Sequence, residues 1–214
     1  MIKLTKGLVP DLLAQNADNW LKELLAEVAN GGDKIAYRKS KYNNPAIKAA
    51  LIAETNGKCA YCESLPLHVT YGDIEHIMPK SVDPNLTFDW QNLTLACDLC
   101  NTKKADKEGL IDPYEDEPED EFNFIGPMIL PRAGKAKAEI TRTVLDLNRS
   151  HLLCQRAERI EALENKFRLI EQHLEPEERE LMLAAIVEHE ISAEREYSLC
   201  ARSFLQATGR YIAP

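Results

Sequence analysis

The sequence predicts an α+β protein, mainly helical, organised around one hairpin held between paired cysteines. Three observations lead there. Two Cys-x-x-Cys knuckles, Cys59/Cys62 and Cys97/Cys100, can each turn two sulfurs toward one point and share a single ion. The stretch between them is longer than a minimal zinc ribbon needs, and leaves room for a hairpin with chemistry of its own. On both sides of this stretch apolar residues recur at steps of three and four, the period of packed helices.

In chain order, Pro10 can open a first helix, since its fixed φ suits the first turn and its missing N–H is not needed there. Leu12, Leu13, Trp20, Leu21, Leu24 and Leu25 give that helix its apolar positions, and Gly31-Gly32 ends it. The next stretch, 34–44, is basic and aromatic, with Lys34, Tyr37, Arg38, Lys39, Lys41 and Tyr42 close together. It reads either as a segment that contacts a nucleic-acid backbone or as a surface loop with snorkelling side chains. Pro45 opens a second helix through residue 53. Gly57 turns the chain into the first knuckle, and 65–71 leads into a strand over 73–77 that stops at Pro79. His68 on this lead-in reads as an ordinary histidine, because the cysteines already complete a four-coordinate site. Residues 81–89 form a polar loop, after which Trp90 and Leu93 return to the core.

Beyond Asp106, the run Glu115-Asp116-Glu117-Pro118-Glu119-Asp120-Glu121 is self-repelling and turn-rich, and reads as a solvent-facing boundary. Two short strands are expected at 122–130 and 138–144. From Asn148 the chain is helical. Ile160, Leu163, Phe167, Ile170 and Leu174 make one apolar seam, and Pro176 opens a further helix whose seam is expected at Leu181, Ala184, Val187 and Ile191. Such a pair forms an antiparallel hairpin that either completes the core or offers a docking surface. Cys154 and Cys200 are expected as packed thiols. The expected organisation is a helical region over 1–57, a cysteine-bounded core over 58–112, an acidic linker with a small β element over 113–147, and a helical region over 148–214.

Composition narrows the function classes. The chain has 214 residues, ordinary apolar content and a formal charge of −9. No apolar run is long enough to cross a bilayer, and no basic, apolar leader stands at the start, so a cytoplasmic protein without a membrane partner is expected. In that compartment thiols stay reduced, which makes paired cysteines metal ligands rather than disulfides. The acidic balance opposes unaided binding to a polyanion, so a nucleic-acid role needs a local basic face or a basic partner. Lys80, Lys103 and Lys104 are the candidates for that face, although solvated lysines on a turn and a helix start look the same.

The four cysteines with Asp73-Ile74-Glu75-His76, Asn92 and Asn101 resemble the HNH endonucleases, a ββα-metal fold with a four-cysteine zinc site. The resemblance implies a general base at His76, a hairpin-tying role for Asn92, and a divalent ion, Mg2+ or Mn2+, held by Glu75 and Asn101. The acidic position is more often Asp in this family. Asp73 is therefore a reserve ligand, placed on the same strand face as Glu75. A closed four-sulfur shell leaves no position for substrate, so the Zn2+ is structural. The reaction implied is phosphodiester hydrolysis, with DNA rather than RNA the expected substrate.

The runs Lys58-Cys-Ala-Tyr-Cys-Glu and Tyr71-Gly-Asp-Ile-Glu-His, the segment after Asp112, and Leu145-Asp-Leu-Asn-Arg149 further resemble the HNH subunit of Septu-type and retron-associated antiphage systems. That resemblance implies a complex with an ABC-type, SMC-like ATPase. Two other readings stand beside it. One is a non-catalytic zinc-ribbon module for binding protein or nucleic acid. The other is a redox protein, which would need one exposed Cys-x-x-Cys pair rather than two that converge.

Overall fold

The computed structural model describes residues 1–66 and 70–211, so His68 lies outside the described residues. Helix α1 (Asp11–Ala29) begins directly after Pro10, whose carbonyl accepts from the Leu13 and Ala14 amides. It stops where Gly31 takes a left-handed φ of 60° and the Gly32 amide turns back to the Glu27 carbonyl. Residues 35–42, the alternative loop of the sequence, are instead helical: α2 (Ile35–Lys39) runs into a 3-10 turn at Ser40–Tyr42. The missing signal was tertiary. Arg38 and Lys41 both pair with Glu23 on α1, which fastens a segment too short to be read by periodicity. Helix α3 (Pro45–Glu54) is capped by Asn44, whose Oδ1 accepts from the Ala46 amide at 2.9 Å.

Strands β1 (Asp73–His76) and β2 (Leu93–Ala96) pair antiparallel, with Glu75 opposite Thr94 and His76 opposite Leu93. Gly72 starts β1 at φ 60°, and a Cβ there would stand 3.2 Å from Leu95. Alternation sends Ile74 and His76 to one face and Asp73 and Glu75 to the other. The first face lies against the N-terminal helices, where Leu13, Leu24, Ile47 and Leu51 enclose Ile74, Phe88, Trp90, Leu93 and Leu95. The second face meets α4 (Asp98–Lys104), which leaves the second knuckle directly.

The acidic run is not a solvent-facing linker throughout. Pro118 is buried at the start of α5 (Pro118–Glu121), and Lys3, Lys135, Lys137 and Arg202 pair with Glu117, Glu121, Asp116 and Glu119 respectively. Cations brought in from other parts of the sequence offset the local repulsion. The expected strand at 122–130 contains both arms of a hairpin, β3 (Phe122–Ile125) and β4 (Met128–Pro131), turned at Gly126-Pro127. The second expected strand, 138–144, is wrong: it lies in α6 (Ala136–Val144). Ala138, Thr141 and Leu145 are buried at helical spacing and Glu139 pairs with Arg142 one turn on, a period of 3.6 that overrides the β-branched composition. This hairpin, the knuckles and residues from both ends of the described chain, including Met1, Leu152 and Cys200, share one buried cluster.

Helices α7 (Ser150–His173) and α8 (Pro176–Ile191) form a helical hairpin, and α9 (Ser198–Ala207) packs against both. The α7 seam packs at Leu163, Phe167 and Ile170 as its spacing predicts. The α8 seam keeps Val187 and Ile191 as expected but is rotated away from Leu181 and Ala184. Leu181 and Ala184 are exposed, and Leu183, Ile186, Val187 and Ile191 pack inward. Glu190 sets the rotation, because its buried carboxylate must face Arg159 and Lys166 on α7. Cys154 is exposed on α7, against the packed thiol expected, whereas Cys200 is buried as expected. Among the described residues, no helix is long and apolar enough to cross a membrane.

Candidate active site and metal centre

The Sγ atoms of Cys59, Cys62, Cys97 and Cys100 lie within 4.8 Å of one another. Cys62 and Cys97 sulfurs stand 3.8 Å apart, close to the edge of a tetrahedron with metal–sulfur bonds of about 2.3 Å. Cys97 also caps α4, its Sγ accepting from the Cys100 amide. Arg149 donates to Cys100 Sγ at 3.7 Å and brings positive charge to the cluster. Burial pushes the Cys59 thiol up, while hydrogen bonds from neighbouring thiols draw Cys62 down. Four clustered thiolates, three of them buried, repel one another unless a cation lies among them, so the donor set fits a soft divalent ion.

On the other side of α4, Glu75, His76 and Asn101 line one cleft of about 320 Å³ with Lys39, Lys80 and Asp106. His76 is buried at the end of β1, and its Nε2 stands 3.0 Å from the Thr87 carbonyl. A carbonyl only accepts, so Nε2 carries the proton and Nδ1 is the free base. Burial holds His76 down at about 4, with Lys80 and Lys104 adding to it, so the ring is neutral near pH 7. The Tyr42 ring meets it edge-on, with centroids 4.5 Å apart. Asn92 closes the loop that carries these groups. Its Oδ1 accepts from the Met78 amide at 2.7 Å, and its Nδ2 donates to the carbonyls of Met78 and Leu86.

The carboxylates behave differently from each other. Glu75 Oε1 pairs with Lys104 Nζ at 2.9 Å, and burial raises its pKa from the ordinary range. Asp73 Oδ2 accepts from Asn101 Nδ2 at 2.7 Å; a carboxylate cannot donate, so the amide oxygen Oδ1 is the end left free. Asp73 does not line the cleft, whereas Glu75 does. The sequence placed Lys104 among surface phosphate contacts. Its side chain is 1% exposed and spans Glu75 and the His76 carbonyl, so that assignment is corrected. Lys103 pairs with Asp146 at 3.1 Å, and Lys80 donates to the Tyr42 hydroxyl at 2.7 Å. The contacts of Tyr42, Thr87 and Arg149 were missed by sequence reasoning; all three are non-local, and only Tyr42 fell in a segment singled out by composition.

Residues 59–107 match the family model of the HNH endonucleases. The chain carries an HNH endonuclease domain. Its four cysteines and its cleft both fall inside this domain, the cleft apart from Lys39 on α2. The chain is similar to a Septu protein PtuB of Bacillus thuringiensis, 36% identical over 114 residues that make up 51% of this chain and 44% of the relative. A Septu protein PtuB of Bacillus mycoides is 28% identical over 160 residues, 58% of this chain and 54% of the relative. A candidate HNH endonuclease of retron Vc95 from Vibrio cholerae is 32% identical over 121 residues, 49% of this chain and 58% of the relative. The chain thus spans about half the length of the curated relatives it matches.

Proposed function

We propose that the chain is a metal-dependent endonuclease that hydrolyses phosphodiester bonds in DNA, with His76 as general base. The observation that carries this is a neutral, buried histidine with Nε2 held by the Thr87 carbonyl and Nδ1 free, in one cleft with Glu75 and Asn101. Glu75 Oε2 and Asn101 Oδ1 make no hydrogen bond among the described residues, and they are the hard oxygens that would hold Mg2+ or Mn2+. Bound there, the ion would supply positive charge beside the scissile phosphate and the departing 3′-oxygen. Asp73 orients Asn101 through its amide rather than acting as the ligand. Asn92 fixes the loop that presents the Thr87 carbonyl. His76 Nδ1 takes a proton from water as the new P–O bond forms opposite the P–O3′ bond that breaks, and the 3′-oxygen leaves with a proton from solvent. Zinc on the four cysteines holds α4, and with it Asn101 and Lys104, against the hairpin.

Resemblance to Septu and retron proteins supports a place in antiphage defence, in a cytoplasmic complex with an ABC-type, SMC-like ATPase. The charge of −9 fits a subunit that engages nucleic acid within an assembly. A second reading, a non-catalytic binding module, draws on the Lys104–Glu75 ion pair, which already neutralises the carboxylate. Manganese binding separates the two. Weak binding at the cleft that Glu75→Gln abolishes, with the zinc content unchanged, supports the nuclease; no manganese binding supports the module.

A further inference from the structure

Four basic residues crowd the segment before α3, and the fold gives them different positions. Arg38 and Lys41 pair with Glu23 on α1, and Lys34 does not line the cleft. Lys39 does line it, half-buried and with no acidic partner among the described residues. Three residues on, Tyr42 sets its ring edge against His76, and its hydroxyl accepts from Lys80 at 2.7 Å. The Lys80 ammonium also lies 4.7 Å from the Tyr42 ring centroid. Since Lys104 neutralises Glu75, Lys39 and Lys80 set against Asp106 leave the lining positive in a chain that is acidic as a whole.

We propose that Lys39, on the segment 35–42, makes a phosphate-binding wall of the cleft and contacts the DNA backbone, and that Tyr42 is a positioning residue that holds Lys80 and the His76 ring. This rests on the nuclease reading and extends it to residues outside the HNH-matching segment. The wall is pre-organised, since Glu23 anchors α2 from α1 and Asn44 caps α3 immediately after it. A lysine already placed beside the reacting group supplies backbone affinity where base catalysis needs the phosphate. Arg38 and Lys41, spent on Glu23, have a structural role only.

The test measures binding of a short labelled DNA duplex to the full chain with no magnesium or manganese added and no chelator, so that the structural zinc stays in place while the metal-dependent reaction cannot proceed, across a range of salt. Lys39→Gln is expected to weaken binding several-fold at low salt and to reduce the slope of log affinity against log salt by about 1. Lys41→Gln should leave the slope unchanged and lower thermal stability. In a separate cleavage assay with magnesium added, Tyr42→Phe, which keeps the ring and loses the hydroxyl, should raise KM with a smaller change in kcat; Tyr42→Ala should lower kcat as well. An unchanged slope in Lys39→Gln, or binding by the unsubstituted chain that does not depend on salt, overturns the wall. If that slope is unchanged while His76→Ala has lost cleavage, the wall is wrong and the nuclease stands. If His76→Ala cuts normally, the reading of this cleft as the catalytic centre fails and the wall with it.

Discussion

His76 shows how much of this chemistry depends on single neighbours. Its type and its place after Glu75 were legible because the HNH pattern is local, and so were Asn92 and Asn101 as members of that pattern. Which nitrogen is free was not, since the Thr87 carbonyl approaches from a 3-10 turn eleven residues away. Lys104 was misread for a related reason: a lysine two residues before a negatively charged Asp106 looks solvated, and only the pairing of β1 with α4 brings Glu75 over it. Breaking a buried pair leaves one charge unpaired, so Lys104→Met should cost about 3–5 kcal/mol in urea unfolding. A loss under 1 kcal/mol would show that the pair is solvated. Asn92→Ala strands the Met78 amide and two carbonyls, and should cost on the order of 3 kcal/mol by the same measurement.

Among the elements, α8 carries the clearest lesson. Its apolar residues permit more than one inward face, and apolar spacing alone chose the face containing Leu181. The buried Glu190 decides otherwise, because the cost of an unpaired carboxylate in the interior exceeds that of exposing one leucine. Burial works to raise the Glu190 pKa, yet hydrogen bonds from Lys166 and Arg159 bring it down to about 2 from an ordinary 4.5. A depressed carboxyl stabilises the fold fully above its unfolded value and loses that contribution as pH falls through the folded one. The α7–α8 hairpin should therefore loosen between about pH 4.5 and 2. Glu190→Gln should flatten that part of the pH–stability curve, followed by circular dichroism, while an unchanged acid transition would mean the pair contributes nothing. The misplaced strand at 138–144 has the same origin as the α8 error, a local preference overruled by what the element must bury.

For the whole molecule, the knuckles were the most legible feature and the acidic run the least. Spacing alone announces four sulfurs around one point, whereas the cations that neutralise residues 116–121 arrive from Lys3, Lys135, Lys137 and Arg202, both near and far in sequence. The cysteine cluster joins the hairpin, α4 and the C-terminal helices in one buried cluster, so the metal should be needed for the fold as well as the site. Purified protein should hold about one equivalent of zinc, and Cys97→Ser should lose both the metal and several kcal/mol of stability. A Cys97→Ser protein that keeps zinc and an unchanged melting temperature would remove the structural role.

The central claim is that the cleft beside α4 is a phosphodiesterase centre with His76 as its base. It is tested most directly by purifying the protein from its native host with whatever accompanies it, and comparing DNA cleavage by the unsubstituted chain and by His76→Ala, with magnesium or manganese and ATP present. His76→Ala should keep its zinc and its circular dichroism spectrum and lose about 10^2- to 10^4-fold in cleavage rate. Cleavage by His76→Ala at the unsubstituted rate would contradict the claim.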